Sequence, residues 1–267
     1  MGYLLVLLAV SMAVSALGWI YFIYFFSIGY GFSVAALSVA IAVLFRDVLS
    51  VPAVMMCVVM LVFGCRLGLY LLTREKRSAD YRKILYGPDA ARKKPVVVSV
   101  VVWVFCALLY VGQVSPLAFY LGNAREGAPV NEAFVWIGTA LMAVGVIMEA
   151  VADMQKKRAK TVRPGRFVDT GLYRIVRCPN YFGELIIWTG SFVVCFGACC
   201  NVWQWVIAGV GYAGIVYVMF SGARRLELRQ TEVYGADPEF RRYVGRTPLL
   251  LPLVPIYSLK KFGWLKA

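Results

Sequence analysis

The sequence predicts an all-α integral membrane protein with about seven transmembrane helices. Of its 267 residues, 61% are hydrophobic and only 16% are charged, whereas soluble domains carry about 25% charged residues. Uncharged runs of roughly 20 residues recur along the chain, and each is long enough to cross a hydrocarbon core ~30 Å thick. A soluble all-helical protein of this composition would lack polar surface, so we reject that class.

Seven apolar spans follow one another along the chain and together form one polytopic domain, 1–267. The break between the first two is weak, since it consists of "FFSIGYGFS" with Gly29 and Gly31. After the last span, a short amphipathic helix is predicted near 239–244. A Thr-Pro pair that follows it, 247–248, ends the helix. The predicted spans are 3–26, 29–45, 51–72, 96–121, 134–152, 181–200 and 203–222.

The distribution of Lys and Arg predicts the orientation. Of the 28 basic residues, eight lie in 73–95, eight in 153–180 and nine in 223–267. These three segments alternate along a seven-span path, as the positive-inside rule requires, so the N-terminus is predicted outside and the C-terminus in the cytoplasm. The protein is then a multi-pass protein of the inner membrane if bacterial, or of the endoplasmic reticulum if eukaryotic.

The net charge of +14 limits the class of partner. Nucleic acid is rejected, because the basic residues lie on short loops between spans. Anionic membrane lipids account for much of the charge, and a phosphate-rich ligand on the cytoplasmic side would account for the rest. The chain has seven Cys without a CxxC pair and no His, so no metal site is predicted and acid–base chemistry falls to Tyr, Glu, Asp or Lys.

The head of the sixth span, "PNYFGE", carries the most unusual polar residues. Asn180 and Glu184 are four residues apart and share one helix face, and Gly183 permits close approach of a backbone or a ligand. A carboxylate within a span is costly and usually functional. An amide and a carboxylate facing one cavity can bind a ligand carboxamide such as that of nicotinamide; the alternative is a structural hydrogen bond between helices.

Other polar residues are predicted at the same cytoplasmic level. Glu149 and Asp153 lie on one helix face, where the alternative is a solvated helix end. The turn-rich segment 161–180 has four Arg and no Lys, which favours phosphate recognition over ordinary loop charge. The candidate ligand-binding residues in and around these segments are Arg66, Arg74, Arg163, Arg166, Tyr173, Tyr181, Arg225 and Tyr243.

These residues resemble a known family. "DTGLYRIVRCPNYFGE", 169–184, is similar to the C-terminal signature of the steroid 5-alpha-reductase family and its bacterial relatives, membrane enzymes that reduce an activated carbon–carbon double bond with NADPH. The looser pieces "RLGLYLLTR", "EAVADMQKK" and "YGADPEFRRYVGRTP" extend the resemblance over most of 66–252. Residues 1–65 match only as apolar spans.

The resemblance implies NADPH as cofactor and a steroid or another lipophilic enone as substrate, with 3-oxo-Δ4 steroids favoured. Residues 1–72 would be the substrate-side spans and 73–267 the cofactor-binding half. Asn180 and Glu184 would bind the nicotinamide end and Asp153 the adenosine. Arg163, Arg74 and Arg225 would contact phosphates. The resemblance also implies that Tyr173, Tyr181 and Tyr243 are wall residues.

The N-terminal half departs from the family pattern. Family members that reduce steroids use a membrane Glu with a Tyr to polarise the ketone, but 1–72 contain no Glu and only Asp47 as an acid. Tyr21, Tyr24 or Tyr70 could instead donate to a developing enolate. We predict Tyr70 and Glu184 as the catalytic residues.

Two other classes stay open. Membrane methyltransferases of the isoprenylcysteine or phospholipid type, which use S-adenosylmethionine, resemble the same C-terminal half, and "LRQTEVYGADPEFRRYVGRTP" partly fits their tail. The Glu of NYFGE and the Arg cluster favour the reductase, because a methyl donor has no 2′-phosphate. A lipid-binding or assembly protein on the same scaffold would bind no nucleotide.

Overall fold

A computed structural model describes residues 2–77 and 95–265. Within these ranges the chain forms helices and turns and no strand, which confirms the all-α prediction. The basic segment 73–95 falls largely on 78–94, outside the described residues. The α-helices are α1 (Gly2–Ser15), α2 (Ile28–Leu44), α3 (Val51–Arg77), α4 (Val96–Arg125), α5 (Glu132–Val162), α6 (Pro179–Val193), α7 (Cys195–Ala198), α8 (Val202–Tyr234) and α9 (Pro238–Arg246).

Six segments of the described chain are long and apolar enough to cross a membrane. The one remaining predicted span, 29–45, corresponds to α2. This apolar helix has 17 residues and is slightly short of that length. The protein is therefore a multi-pass integral membrane protein. The predicted orientation of its termini stays a prediction.

The first predicted span, 3–26, is wrong in its second half. The α-helix ends at Ser15, and two 3₁₀ helices, Ala16–Trp19 and Phe22–Phe26, follow it. Gly18 explains the break: a Cβ on it would stand 2.0 Å from a ring carbon of Phe25. Because Gly18 has no side chain, the chain folds back and lays the ring of Phe25 on its own backbone.

The third span extends further than predicted. The predicted span ends at 72, before the charged residues "REKR" of 74–77, but α3 continues through Arg77. Thr73 donates a hydrogen bond of 2.7 Å to the carbonyl of Leu69, as helical Thr residues do. The extension gives Arg74 and Glu75 fixed positions on a helix.

The chain divides into two compact units. Unit 1 comprises 1–139 and 190–212, and unit 2 comprises 140–189 and 213–267. In unit 1, α2 and α3 meet through Gly31 and Gly64, where a Cβ on Gly64 would stand 2.4 Å from the Gly31 carbonyl oxygen. Small residues at such crossings let the backbones of membrane helices touch.

Unit 2 contains the C-terminal parts of α5 and α8, most of α6, and α9. The helix α9 begins after Asp237, whose side chain accepts a hydrogen bond of 2.8 Å from the Glu239 amide. This cap and the Pro at the first helical position explain why the helix starts there. The predicted short helix near 239–244 is therefore confirmed.

Candidate functional site

Asn180 and Glu184 lie on the first turns of α6, which begins at Pro179. Asn180 is half-buried, whereas Glu184 is only 7% exposed. Gly183 lies between them, and a Cβ on it would stand 2.9 Å from the Gly145 carbonyl oxygen and 3.0 Å from the Glu149 amide nitrogen. The close approach that Gly183 permits is thus to the backbone of α5.

A second carboxylate lies on that part of α5. Glu149 is 4% exposed, and Asp153, one turn further along, is half-buried. Glu149 therefore does not belong to a solvated helix end. The carboxylates of Glu149 and Glu184 are thus both buried in unit 2, on two helices whose backbones touch at Gly183.

Arg166 lies in the turn after α5 and is held by two acids. Its guanidinium donates to Glu239 at 2.5 Å and to Asp169 at 3.0 Å. These hydrogen bonds, first that to Glu239 and then that to Asp169, raise the pKa of Arg166 above its usual value. Arg166 therefore links the turn to α9, and a phosphate would have to compete with these two carboxylates.

Tyr173 and Tyr243 form one connected group. Tyr173 is buried and its hydroxyl donates to the Ala152 carbonyl at 3.4 Å, while Tyr243 donates to the Tyr173 carbonyl at 2.7 Å. The ring of Tyr243 stacks on Phe167 with 5.4 Å between centroids. Burial raises the pKa of Tyr243 above its usual 10.0. The structure thus brings together two of the predicted wall tyrosines.

The remaining predicted residues of unit 2 differ in burial. Arg163, at the end of α5, and Arg225, on α8, are exposed. Tyr181 is half-buried and its ring packs against Gly222, where a Cβ would stand 3.3 Å from a ring carbon. Exposed guanidinium groups are available to phosphate oxygens, in contrast to that of Arg166.

A buried ion pair in unit 2 was not predicted. Arg177 is 1% exposed, and its guanidinium lies 3.5 Å from the carboxylate of Glu227 and also donates to the Tyr257 carbonyl. The other oxygen of Glu227 accepts from the Leu259 amide at 2.8 Å. Arg177 therefore differs from the other arginines of its segment, which sequence analysis assigned together to phosphate recognition.

The C-terminal segment reinforces this pairing. The amides of Arg177 and Cys178 donate to the carbonyls of Pro248 and Leu249 at 2.9 and 3.0 Å. These partners are distant from each other along the chain, and no local pattern marks them. This backbone pairing fixes the chain immediately before Asn180.

In unit 1, Tyr24 and Glu75 form a buried pair. The hydroxyl of Tyr24 lies 2.7 Å from both carboxylate oxygens of Glu75, and both residues are at most 9% exposed. Tyr70 is half-buried and packs against the cluster that contains Tyr24 and Leu71. The N-terminal half therefore has a Glu–Tyr pair. This pair was not predicted, because Glu75 lies three residues beyond the predicted end of the third span, 51–72.

Two further predicted residues are on α3. Arg66 is half-buried and Arg74 is exposed. They belong to unit 1, as does Tyr70. The other predicted site residues all belong to unit 2: Asp153, Arg163, Arg166, Tyr173, Asn180, Tyr181, Glu184, Arg225 and Tyr243.

Comparison with known proteins gives the family. The model of the protein family of unknown function DUF1295 matches residues 23–247, which is most of the chain. The chain belongs to this family. The matched range includes the Tyr24–Glu75 pair, Tyr70, the head of α6 and α9.

A curated relative connects the DUF1295 chain to an enzyme. This chain is 28% identical over 148 residues to the steroid 5-alpha-reductase DET2 of Arabidopsis thaliana. The aligned residues cover 54% of this chain and 53% of the relative. The chain thus spans about half the length of the curated relative it matches. No solved structure matches. The resemblance of the chain to the steroid 5-alpha-reductase family is confirmed.

Proposed function

We propose that the protein is an NADPH-dependent membrane reductase that transfers a hydride to the activated C=C bond of a lipidic enone, with 3-oxo-Δ4 steroids as the favoured substrates. The observation that carries this proposal is the buried carboxylate of Glu184, one turn from Asn180 at the head of a membrane helix. The similarity to a steroid 5-alpha-reductase supports the reaction class.

The residues of unit 2 have the chemistry that NADPH requires. Glu184 would accept from the carboxamide NH₂ and Asn180 would donate to its oxygen. Arg163 and Arg225, both exposed, would bind phosphates. Asp153 would bind the adenosine. When bound, NADPH supplies the hydride.

The Tyr24–Glu75 pair supplies an acid in unit 1, and it replaces Tyr70 as our first candidate for the substrate oxygen. Tyr24 donates to the Glu75 carboxylate at 2.7 Å, which holds the phenol in place. Its hydrogen would turn to a substrate carbonyl once a substrate is bound. That hydrogen bond would stabilise the enolate formed when a hydride reaches the β carbon. A proton from water, delivered to the α carbon, then completes the reduction.

Nucleotide binding to the detergent-purified protein tests the cofactor. NADPH, NADH and S-adenosylmethionine are compared by calorimetry on the native protein, Glu184→Gln and Glu75→Gln. We expect NADPH to bind the native protein and Glu75→Gln alike, and to bind Glu184→Gln at least tenfold more weakly, since a carboxylate acceptor is lost. Binding of S-adenosylmethionine alone would overturn the reductase proposal and support the methyltransferase.

Turnover of a steroid enone with NADPH tests the acid in unit 1. We expect Tyr24→Phe to lower kcat by roughly 10²–10⁴, the contribution of a positioned proton donor, with NADPH affinity unchanged. Tyr21→Phe is the matched control, because it removes a phenol hydroxyl from a neighbouring ring, which contacts that of Tyr24 with 5.2 Å between centroids. A large loss in Tyr70→Phe with little loss in Tyr24→Phe would return the role to Tyr70.

A further inference from the structure

The C-terminal segment of unit 2 combines basic and aromatic side chains. From Arg241 to the end, the sequence contains six Lys and Arg and no Asp or Glu. Within eight residues, Lys260 and Lys261 lie between Tyr257 on one side and Phe262 and Trp264 on the other. Tyr and Trp beside Lys are typical of chain segments at a membrane–water interface.

This segment is held to α8 through its backbone. Arg224 donates to the carbonyls of Lys260 and Leu265, both at 3.3 Å, and Tyr217 donates to the carbonyl of Trp264 at 3.1 Å. The amide of Leu259 is bound by Glu227, as described above. Because the backbone makes these contacts, the segment has a defined position while its polar side chains stay available.

The available side chains are basic and aromatic. Lys260 and Lys261 are exposed, and Trp264 is 66% exposed. A pocket of about 480 Å³ is lined by Tyr257, Lys260, Lys261 and their neighbours. The ammonium of Lys261 lies 5.4 Å from the centre of the Phe262 ring. The pocket therefore offers two cations to an anion and aromatic faces to its apolar surroundings.

We infer that this pocket binds the headgroup of an anionic phospholipid from the surrounding bilayer. The two lysines match the phosphate charge, and no acid within the segment opposes it. The exposed apolar side chains nearby, such as Leu253 at 95% exposure, match the acyl region rather than water. This inference is independent of the proposed reductase activity.

Native mass spectrometry of the detergent-purified full chain tests the inference. Phosphatidylglycerol and phosphatidylcholine of equal chain length are titrated against the native protein, K260Q/K261Q and K260R/K261R. We expect the native protein to bind the first phosphatidylglycerol roughly 10–30-fold more tightly than phosphatidylcholine, the effect of two lysines near an anionic surface. K260Q/K261Q should lose this preference, and K260R/K261R should keep it.

The control removes the same charge elsewhere. Arg241 and Arg242 are exposed on α9, and R241Q/R242Q should keep the lipid preference. Equal binding of the two lipids to the native protein, or equal loss in R241Q/R242Q, would overturn the inference. So would displacement of phosphatidylglycerol by millimolar inorganic phosphate or NADPH, because the pocket would then bind a soluble phosphate.

Discussion

The two units bury different kinds of polar side chain. Among the described residues, the only charged side chain that unit 1 buries is Glu75, and its other buried polar residues are neutral, such as Gln113, Asn123 and Gln204. Unit 2 buries four charged side chains, those of Glu149, Arg177, Glu184 and Glu227. Buried charge is costly unless it is paired, so unit 2 carries the larger cost.

This difference teaches where a functional site is to be sought. Neutral polar groups, such as the Asn123–Gln204 pair, satisfy each other within a bundle and need no ligand. Buried carboxylates that persist in an apolar chain require either a fixed partner or a ligand. Arg177 and Glu227 form such a fixed pair, and the buried Glu184 lies at the head of α6, one turn from Asn180.

The largest expected effect breaks the charged pair of unit 2. Arg177→Met leaves the Glu227 carboxylate buried without its cation, which should lower the free energy of unfolding by about 3–5 kcal/mol. Unfolding by SDS in mixed micelles measures this change. The matched variant removes both charges: R177M/E227M should be less destabilised than Arg177→Met, because no uncompensated charge is left. A double variant that is as unstable as the sum of the two single variants would show that the charges are not coupled.

A smaller effect is expected from the neutral pair of unit 1. Asn123 and Gln204 exchange two hydrogen bonds of 3.0 Å, and Gln204 also accepts from the Cys200 amide at 2.7 Å. Gln204→Leu should cost roughly 1–3 kcal/mol, the penalty for buried donors and acceptors left without a partner. The same SDS titration compares it directly with Arg177→Met. If Gln204→Leu lowered the free energy of unfolding as much as Arg177→Met, buried neutral and buried charged pairs would not differ in their contribution to stability.

The smallest effect concerns a thiol of each unit. Burial raises the pKa of Cys178, in unit 2, from 9.0 to about 12, whereas Cys200, in unit 1, is exposed. Alkylation requires the thiolate, so at pH 8 iodoacetamide should modify Cys200 and leave Cys178 nearly unmodified, as peptide mass spectrometry would detect. Comparable labelling of Cys178 would show that the chain around Arg177 opens.

The sign of the pH dependence follows from the same shift. Because the folded pKa of Cys178 lies above the unfolded value, the fold favours the protonated thiol. Its contribution to stability is therefore complete below pH 9 and is lost as the pH rises toward 12. Cys178→Ala should remove that part of the alkaline loss.

Much of the fold could be predicted from local patterns. Long apolar runs determine α3, α4, α5 and α8, because the length of a run and its helical hydrogen bonding are local properties. The boundaries were less accurate: α3 runs five residues beyond its predicted end, and the first span breaks at Ser15. Both differences arise from contacts with residues distant along the chain or from a ring folding back, which hydropathy does not record.

The candidate site was predicted in part. The NYFGE segment marked Asn180 and Glu184, since a carboxylate in an apolar run is visible in the sequence. The pairing of Arg166 with Glu239 and that of Tyr24 with Glu75 were not visible, because 73 and 51 residues separate these partners along the chain. A sequence shows which side chains are costly to bury, but not which ones meet.

The sequence by itself therefore determined the class of this protein, its apolar helices and the residue types at the head of α6. The tertiary structure decided the roles of individual charges: it turned Arg177 into half of a buried ion pair, held Arg166 between two acids, and gave the N-terminal half a Glu that partners Tyr24. The physical reason is that hydrophobicity and helix length act over neighbouring residues. Pairing energies instead depend on distances that only the folded chain fixes.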